Sequence, residues 1–419
     1  MIHADFLIRN AREILTCAGT APMAGDRQAQ VSAIAGASLA ARGGLIVFVG
    51  AASELEQRVA LLPRAVVIDA DEHSVVPGFV DAHTHAVFAG DRRAELRRRL
   101  AGATYAEIAA GGGGIVSTVQ ATRAATEAEL VSQSRPRLDE MLACGTTTCE
   151  VKSGYGLDVD SELRMLRAIA SIEQTHEIDI VSTFMGAHEI PPEYRGRRDD
   201  YVELVIREML PAVAAEKLAT WCDVFCETGV FTPDESRRIL TAGIEHGMKP
   251  RIHADELGAS GGSRVAAAVG ARSADHLIFV PDDGIEVMAS TGVTATLLPN
   301  AAFYLKLGRF APARKLIEAG VPVALATDVN PGGGFSPSMP FAIALACFGM
   351  NMTFEEALVA ATINGAWSLD LSGTVGSLEP GKLADAVIVR GDAINLIRMG
   401  ADSITAVVKR GRVVGSVTN

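Results

Sequence analysis

Two histidines one residue apart, His83 and His85, close the apolar run PGFVDAHTH at 77–85. In an extended strand alternate side chains share a face, so Asp81, His83 and His85 point the same way. A buried strand has no packing use for two imidazoles side by side, but two on one face can grip one cation. Similar donors recur along the chain. His188 ends FMGAH, His253 ends KPRIH, His276 ends SADH and Asp328 ends VPVALATD, each after an apolar or β-branched run. Five of the nine histidines therefore fall at strand ends; His3, His73, His176 and His246 are scattered and take no role. Imidazole and carboxylate donors in this ratio suit Zn2+ or a non-haem iron ion. The ligand set is His83, His85, His253 and Asp328, around one ion. Such an ion lowers the pKa of a bound water from about 15.7 to about 7 and polarises a carbonyl. The catalytic set is then Glu256, His276 and Asp328. Asp328 can also take the proton of the water. Glu256, three residues beyond His253, can shuttle it, and His276 can orient the nucleophile or meet a developing oxyanion.

These donors are far apart in sequence, so the fold has to bring strand ends together. Eight strand candidates fill the middle of the chain: VVPGFVDAH, TTTCEV, DIVSTFMG, WCDVFC, KPRIHA, SADHL, VTATLLP and PVALATD. Amphipathic helical stretches separate most of them. In DSELRMLRAIASIEQ, Leu163, Leu166, Ile169, Ala170 and Ile172 share roughly one face. Thr126 with Glu129, Thr232 with Glu235, and Thr353 with Glu356 have capping-box spacing, and Pro233 suits a first helical turn. Eight β/α units predict a (β/α)8 TIM-type barrel, whose chemistry gathers at the C-terminal strand ends. A doubly wound sheet is the weaker reading, since no G-x-G-x-x-G opens a helix after the first strand. Residues 1–75 and 375–419 read as short strands and turns, which predicts a small β-sandwich-like domain built from both ends. The barrel then spans 76–374. The Gly-rich runs at 111–114 and 330–335 lack the Lys/Ser pattern of a phosphate cradle and read as mobile loops over the site.

Composition narrows the function. With 419 residues and 48% hydrophobic content, the chain can bury a large core. A net charge of −12 argues against nucleic-acid binding and leaves an anionic substrate in need of a local cation. No apolar run approaches the length of a membrane helix, and the start, MIHADFLIRN, lacks a signal pattern, so a soluble cytoplasmic protein is expected. The six cysteines form no C-x-x-C and read as free buried thiols.

The constellation resembles the amidohydrolase superfamily over nearly the whole chain. PGFVDAHTH is similar to its first-strand H-x-H signature, and GSLEPGKLADAVIV at 376–389 to the segment that returns to the small β domain. Members with two metals carry a bridging lysine after the fourth strand. WCDVFCETG has none, so the resemblance implies a single ion. HTHAVFAGDR at 83–92, VKSGYGL at 151–157, MGAHE at 185–189, HADE at 253–256 and TDVNPG at 327–332 are most similar to the branch acting in histidine degradation. That likeness implies hydrolysis of the ring amide C–N bond of 4-imidazolone-5-propanoate, giving N-formimino-L-glutamate, by paired subunits. The propionate calls for Arg92, whose planar fork suits a carboxylate. Tyr155 and His188 then contact the substrate, as do Asn330, Gly332 and Gly333. Gly333 stands where the resemblance implies a hydroxyl, and Ser336 is a further candidate for that contact. The nearest rival is an aminohydrolase, or deaminase, of a purine or pyrimidine base, which shares the metal donors but has no need of Arg92. A hydantoinase-like amidase lacks its bridging lysine here, and a catalytically dead scaffold would have no reason to keep Glu256.

Overall fold

The computed structural model describes residues 1–103, 107 and 113–416. Its strands fall into two sheets. The first contains β1 (Ile2–Leu15), β2 (Ala33–Arg42), β3 (Leu45–Ala51), β4 (Val59–Asp69) and β5 (Ser74–Pro77). The chain then leaves this sheet for a second one. That sheet comprises β6 (Phe79–Asp81), β7 (Thr146–Lys152), β8 (Asp179–Ala187), β9 (Trp221–Cys226), β10 (Lys249–Pro250), β11 (Ile252–Ala254), β12 (Ser273–His276), β13 (Thr294–Leu297) and β14 (Val323–Leu325). The C-terminal strands β15 (Ala386–Val389), β16 (Ile404–Lys409) and β17 (Arg412–Ser416) rejoin the first sheet, where β15 pairs antiparallel with β5. The order there is β17-β16-β15-β5-β1-β2-β3, with β4 also on β1. All eight barrel strand candidates are present. VVPGFVDAH is shared between the sheets: it breaks at Gly78, and only Phe79–Asp81 enters the barrel.

The second sheet runs β14-β13-β12-β11-β9-β8-β7-β6, all parallel, as a TIM-type barrel. Its first and last strands share no ladder, and other bonds fill the seam. Asp328 N–H donates to His83 O (3.1 Å) and His85 N–H to Val329 O (2.9 Å). The Asp81 carboxylate accepts from the Thr327 amide (3.0 Å) and hydroxyl (2.6 Å). At the other end of β14, the Gln28 side chain exchanges two bonds with the backbone of Val323. Buried backbone groups without a strand partner are thereby satisfied. Asp81 does not join the two histidines at the site; it is spent on closure.

The helices between strands follow their sequence signals. Thr126, Thr232 and Thr353 each form both halves of a capping box. Val159–Glu173 buries Leu163, Leu166, Ile169 and Ile172, and Met165 and Ala168 widen the face, while Ala170 is only half-buried. All six cysteines are free thiols. The first sheet has its own core around Phe6, Ile14, Leu39, Ile46 and Ile388. It is tied to the barrel by the buried Lys409 ammonium, held between Asp385 (2.6 Å) and Asp179 at the start of β8 (2.7 Å). Among the described residues no helix is long and apolar enough to cross a membrane.

Candidate metal centre and active site

The four proposed ligands meet at the C-terminal end of the barrel. His83 and His85 follow β6, His253 sits within β11, and Asp328 follows β14. Nε2 of His85 lies 3.3 Å from Nε2 of His253. Oδ1 of Asp328 lies 3.7 Å from Nε2 of both His83 and His85. The other face of two rings is occupied by carboxylates. Nδ1–H of His83 donates to Asp275 (2.7 Å), and Nδ1–H of His253 donates to Asp223 (3.1 Å). These bonds fix the tautomers, so the Nε2 atoms of His83 and His253 carry bare lone pairs. The His83 Nε2 is buried without a hydrogen-bond partner. A buried nest of nitrogen lone pairs beside a carboxylate oxygen is satisfied by a cation. Three imidazoles and one carboxylate, with second-row carboxylates behind them, fit a divalent ion of borderline softness. His276, at the end of β12, lies in the same cluster with His83 and His253.

Electrostatics agree with that fit. Burial, reinforced by Lys152 or by neighbouring imidazoles, holds His83, His85 and His276 well below the ordinary histidine pKa. Neutral imidazole is the form that ligates. Burial, and then Glu256, pushes the Asp328 carboxyl well above its usual range, a penalty that a bound cation reverses. Glu256 is raised to about 8 by burial and by Glu227, so it holds a proton at neutral pH. Its Oε1 lies 3.6 Å from Nδ1 of His276.

A second row of fully buried charges stands behind the ligands, and the sequence reading missed it. The Lys152 ammonium bonds Glu150 (2.6 Å) and Asp223 (2.7 Å) and lies 4.0 Å from Asp275. Arg251 reaches Asp275 (3.3 Å), Ala82 O (2.8 Å) and Ser368 O (3.1 Å). Burial alone would depress the lysine; Asp223 and Glu150 outweigh it and hold its pKa above the usual value. Glu150, Lys152, Asp223 and Asp275 place charges in largely buried strands and Arg251 falls between β10 and β11; charges within or beside such runs were the available signal.

A cavity of about 430 Å³ opens over the centre. Its walls include His85, Arg92, Tyr155, His188, His253, Glu256, His276, Asp328, Asn330, Gly332 and Gly333, with Phe225, Leu257 and Leu305 as apolar surface. Every proposed site residue lines it except His83, which is sealed beneath, and the further candidate Ser336. Arg92 is buried and paired through Nε and Nη2 with Glu95 (2.9 and 2.8 Å), which leaves its Nη1 edge for an anion. His188 stacks on His85 at 4.8 Å and donates from Nδ1 to Gly154 O (3.0 Å), so its Nε2 is an acceptor. The 330–335 loop holds itself: the Asn330 amide donates to Asp328 O, and its oxygen accepts from Gly332 and Gly333 N–H. Asn330 and those glycines therefore shape the wall, and the two backbone donors are already engaged. Ser336 faces a different cavity, beside Cys144 and Tyr304, and does not supply the missing hydroxyl. Of the other glycine run, residues 111 and 112 lie outside the described residues.

Comparison with known proteins matches this geometry. The amidohydrolase family model matches residues 74–414, and the chain belongs to that family. Solved structures share the fold. An adenosine deaminase from Xanthomonas campestris with bound zinc superposes with a TM-score of 0.69 at 20% identity, covering 98% of this chain and 93% of that one. A triazine hydrolase from Arthobacter aurescens gives 0.73 at 19% identity, covering 98% and 94%. Sequence likeness is much closer to one branch. The chain is 50% identical to the imidazolonepropionase of Symbiobacterium thermophilum, over 99% of this chain and 98% of that protein. It is 48% identical to that of Geobacillus kaustophilus, over 97% of each. Within the amidohydrolases it belongs with the imidazolonepropionases.

Proposed function

We propose that this protein hydrolyses the ring amide C–N bond of 4-imidazolone-5-propanoate in histidine degradation, releasing N-formimino-L-glutamate. His83, His85, His253 and Asp328 would hold one Zn2+ or iron ion. When bound, the ion supplies Lewis acidity, which activates water at neutral pH and polarises the ring carbonyl. The chain's own residues do the rest. Asp328, placed against the nucleophile by the β14–β6 seam, accepts a water proton on its carboxylate. Glu256, protonated in its buried setting, delivers a proton to the departing ring nitrogen. His276 faces the oxygen that gains charge as water adds to the carbonyl carbon. The C–N bond then breaks, the carbonyl carbon becomes a carboxylate, and the nitrogen leaves as the formimino N–H. Arg92 grips the propionate through Nη1, while Tyr155 and His188 bracket the ring.

The observation that carries this reading is the shared cavity: the histidine cluster and one buried arginine edge line the same 430 Å³ space. A base deaminase has no use for that arginine. The test is turnover of freshly prepared imidazolonepropanoate, guanine and cytosine by metal-replete protein, with metal counted per subunit. Ring opening of imidazolonepropanoate alone is expected, and deamination of either base without it refutes the reading. The same reading takes the enzyme to be a cytoplasmic homodimer. Light scattering of the purified protein at twice the monomer mass supports the second part, and monomer mass at micromolar concentration refutes it.

A further inference from the structure

The segment carrying Tyr155 is organised by a carboxylate that plays no part in the chemistry above. Residues 153–157 join β7 to the helix Val159–Glu173. Glu162, on the first turns of that helix, is fully buried. Its carboxylate takes backbone N–H bonds from Gly156 (2.7 Å), Leu157 (2.9 Å) and Gly154 (3.0 Å). These bonds flank Tyr155 on both sides. From the outer face Arg123 donates to the carbonyls of Gly156 (2.6 Å) and Leu157 (3.1 Å), and it is itself paired with Asp158 and Glu193. The link continues through Gly154, whose carbonyl accepts Nδ1–H of His188. Gly154 sits at φ +104°, and a Cβ there would press on the His188 ring and on Met185 O at 3.0 Å. Glu162 is not needed as a helix cap, because Asp158 already accepts from Ser161 N–H (2.8 Å).

We propose that Glu162 is a positioning residue for substrate binding: its carboxylate sets where Tyr155 stands and, through Gly154 O, which nitrogen of His188 faces the cavity. The inference rests on Tyr155 and His188 being substrate contacts. Fully buried, this carboxylate spends its hydrogen bonds on one five-residue loop, and that loop carries no metal donor. Its effect is therefore confined to substrate affinity and leaves the ion in place.

Glu162→Gln tests it. Glutamine keeps the shape but carries a donor where glutamate has only acceptors: with its NH2 at the Oε2 position Gly154 N–H loses the shorter of its two bonds and keeps the 3.2 Å one, and with it at the Oε1 position Gly156 and Leu157 N–H face a donor. KM is expected to rise about tenfold, the loss of one charge-assisted bond, with kcat changed less than about threefold. Metal content per subunit stays that of the parent. An unchanged KM overturns the proposal, as does a loss of metal or a fall in kcat that outweighs the change in KM. Tyr155→Phe is measured beside it. If Tyr155→Phe leaves KM unaltered, the substrate-contact reading itself fails and the role of Glu162 falls with it. If Tyr155→Phe raises KM and Glu162→Gln does not, only the positioning role fails. Should Glu162→Gln not be recovered folded, Arg123→Gln decides in its place. A KM raised about threefold through the two lost carbonyl bonds supports the loop's role, and no change overturns it.

Discussion

Replacing Asp275 by asparagine isolates what a second-row carboxylate contributes to the centre. Oδ2 of Asp275 receives Nδ1–H of His83 at 2.7 Å and Nη2 of Arg251 at 3.3 Å, while Oδ1 is buried without a partner. An asparagine therefore places its oxygen where both donors already point and its NH2 in the unused position. The His83 tautomer survives, and the bond loses only its ionic character. Outer partners of ligating histidines are worth roughly 10- to 100-fold in metal affinity. With orientation preserved, the lower figure applies, about tenfold or about 1.4 kcal/mol. Asp275→Ala leaves Nδ1–H without an acceptor and frees the ring, so about 100-fold is expected. The asparagine removes one of three carboxylates around two buried cations, each of which keeps other partners. Arg251 keeps its bonds to Ala82 O and Ser368 O, and Lys152 keeps Glu150 and Asp223. The assay is Zn2+ titration of apo-protein against a chromophoric chelator, with a thermal melt of each apo-variant as the check on folding. Folded variants that both bind within about twofold of the parent would show that the carboxylate does not tune His83, and the argument from tautomer to ligand would collapse.

Four further outcomes follow from the same geometry. Asp328→Ala is expected to lose activity and most of its bound metal; stoichiometric metal with full turnover removes Asp328 from the ligand set. Arg92→Ala is expected to raise KM about 30-fold with little change in kcat, because the variant loses a charged bond to the propionate and takes the cation from Glu95, which keeps only Gly114 N–H and the Ser117 hydroxyl; an unchanged KM places the anion elsewhere. Gly332→Ala is expected to raise KM in the same direction by a smaller factor, with a near-parental melting temperature, since its Cβ would collide with the guanidinium of Arg92, a movable group. Thr232→Ala removes one capping box and is expected to cost about 1 kcal/mol in chemical denaturation with KM unchanged.

The parts of this molecule legible in its sequence are those governed by local rules. Strand runs, capping boxes and the histidines at strand ends each follow from a few adjacent residues, and all reappear in the structure. What stayed hidden depends on pairs distant in the chain. Asp223 and Asp275 sit inside WCDVFC and SADHL, and neither string says that its carboxylate will meet an imidazole from another strand. Lys152 is one residue of VKSGYGL, and its partners lie 2 and 71 positions away. Asp81 parts from the histidines for a different reason. Strand alternation puts it on the face of His83, but the seam offers Thr327 as a partner first. The bonds of Asn330 within its own loop were hidden for the same reason: a glycine-rich turn has orphan N–H groups, and the nearest amide oxygen satisfies them.

The seam also explains why strain gathers at the centre. Asp255, His276, Leu277 and Asp328 all adopt positive φ (50°, 74°, 56° and 52°), conformations that cost non-glycine residues about 1–3 kcal/mol each. Each stands at or just beyond the end of a barrel strand, where continued β geometry would carry the next side chain along the ladder instead of over the cavity. At Asp328 the turn comes where β14 has no ladder partner in β6, and the backbone–backbone bonds that tie it to the first strand run from Asp328 to His83 and from His85 to Val329. Two of the bonds that close the barrel therefore also fix the carboxylate against two of its fellow ligands. A complete β14–β6 ladder would close the barrel equally well, but it would leave Asp328 extended and aligned with the wall. The gap in the sheet, and the strained turn that bridges it, are what let one strand end present an oxygen to two nitrogens that follow another.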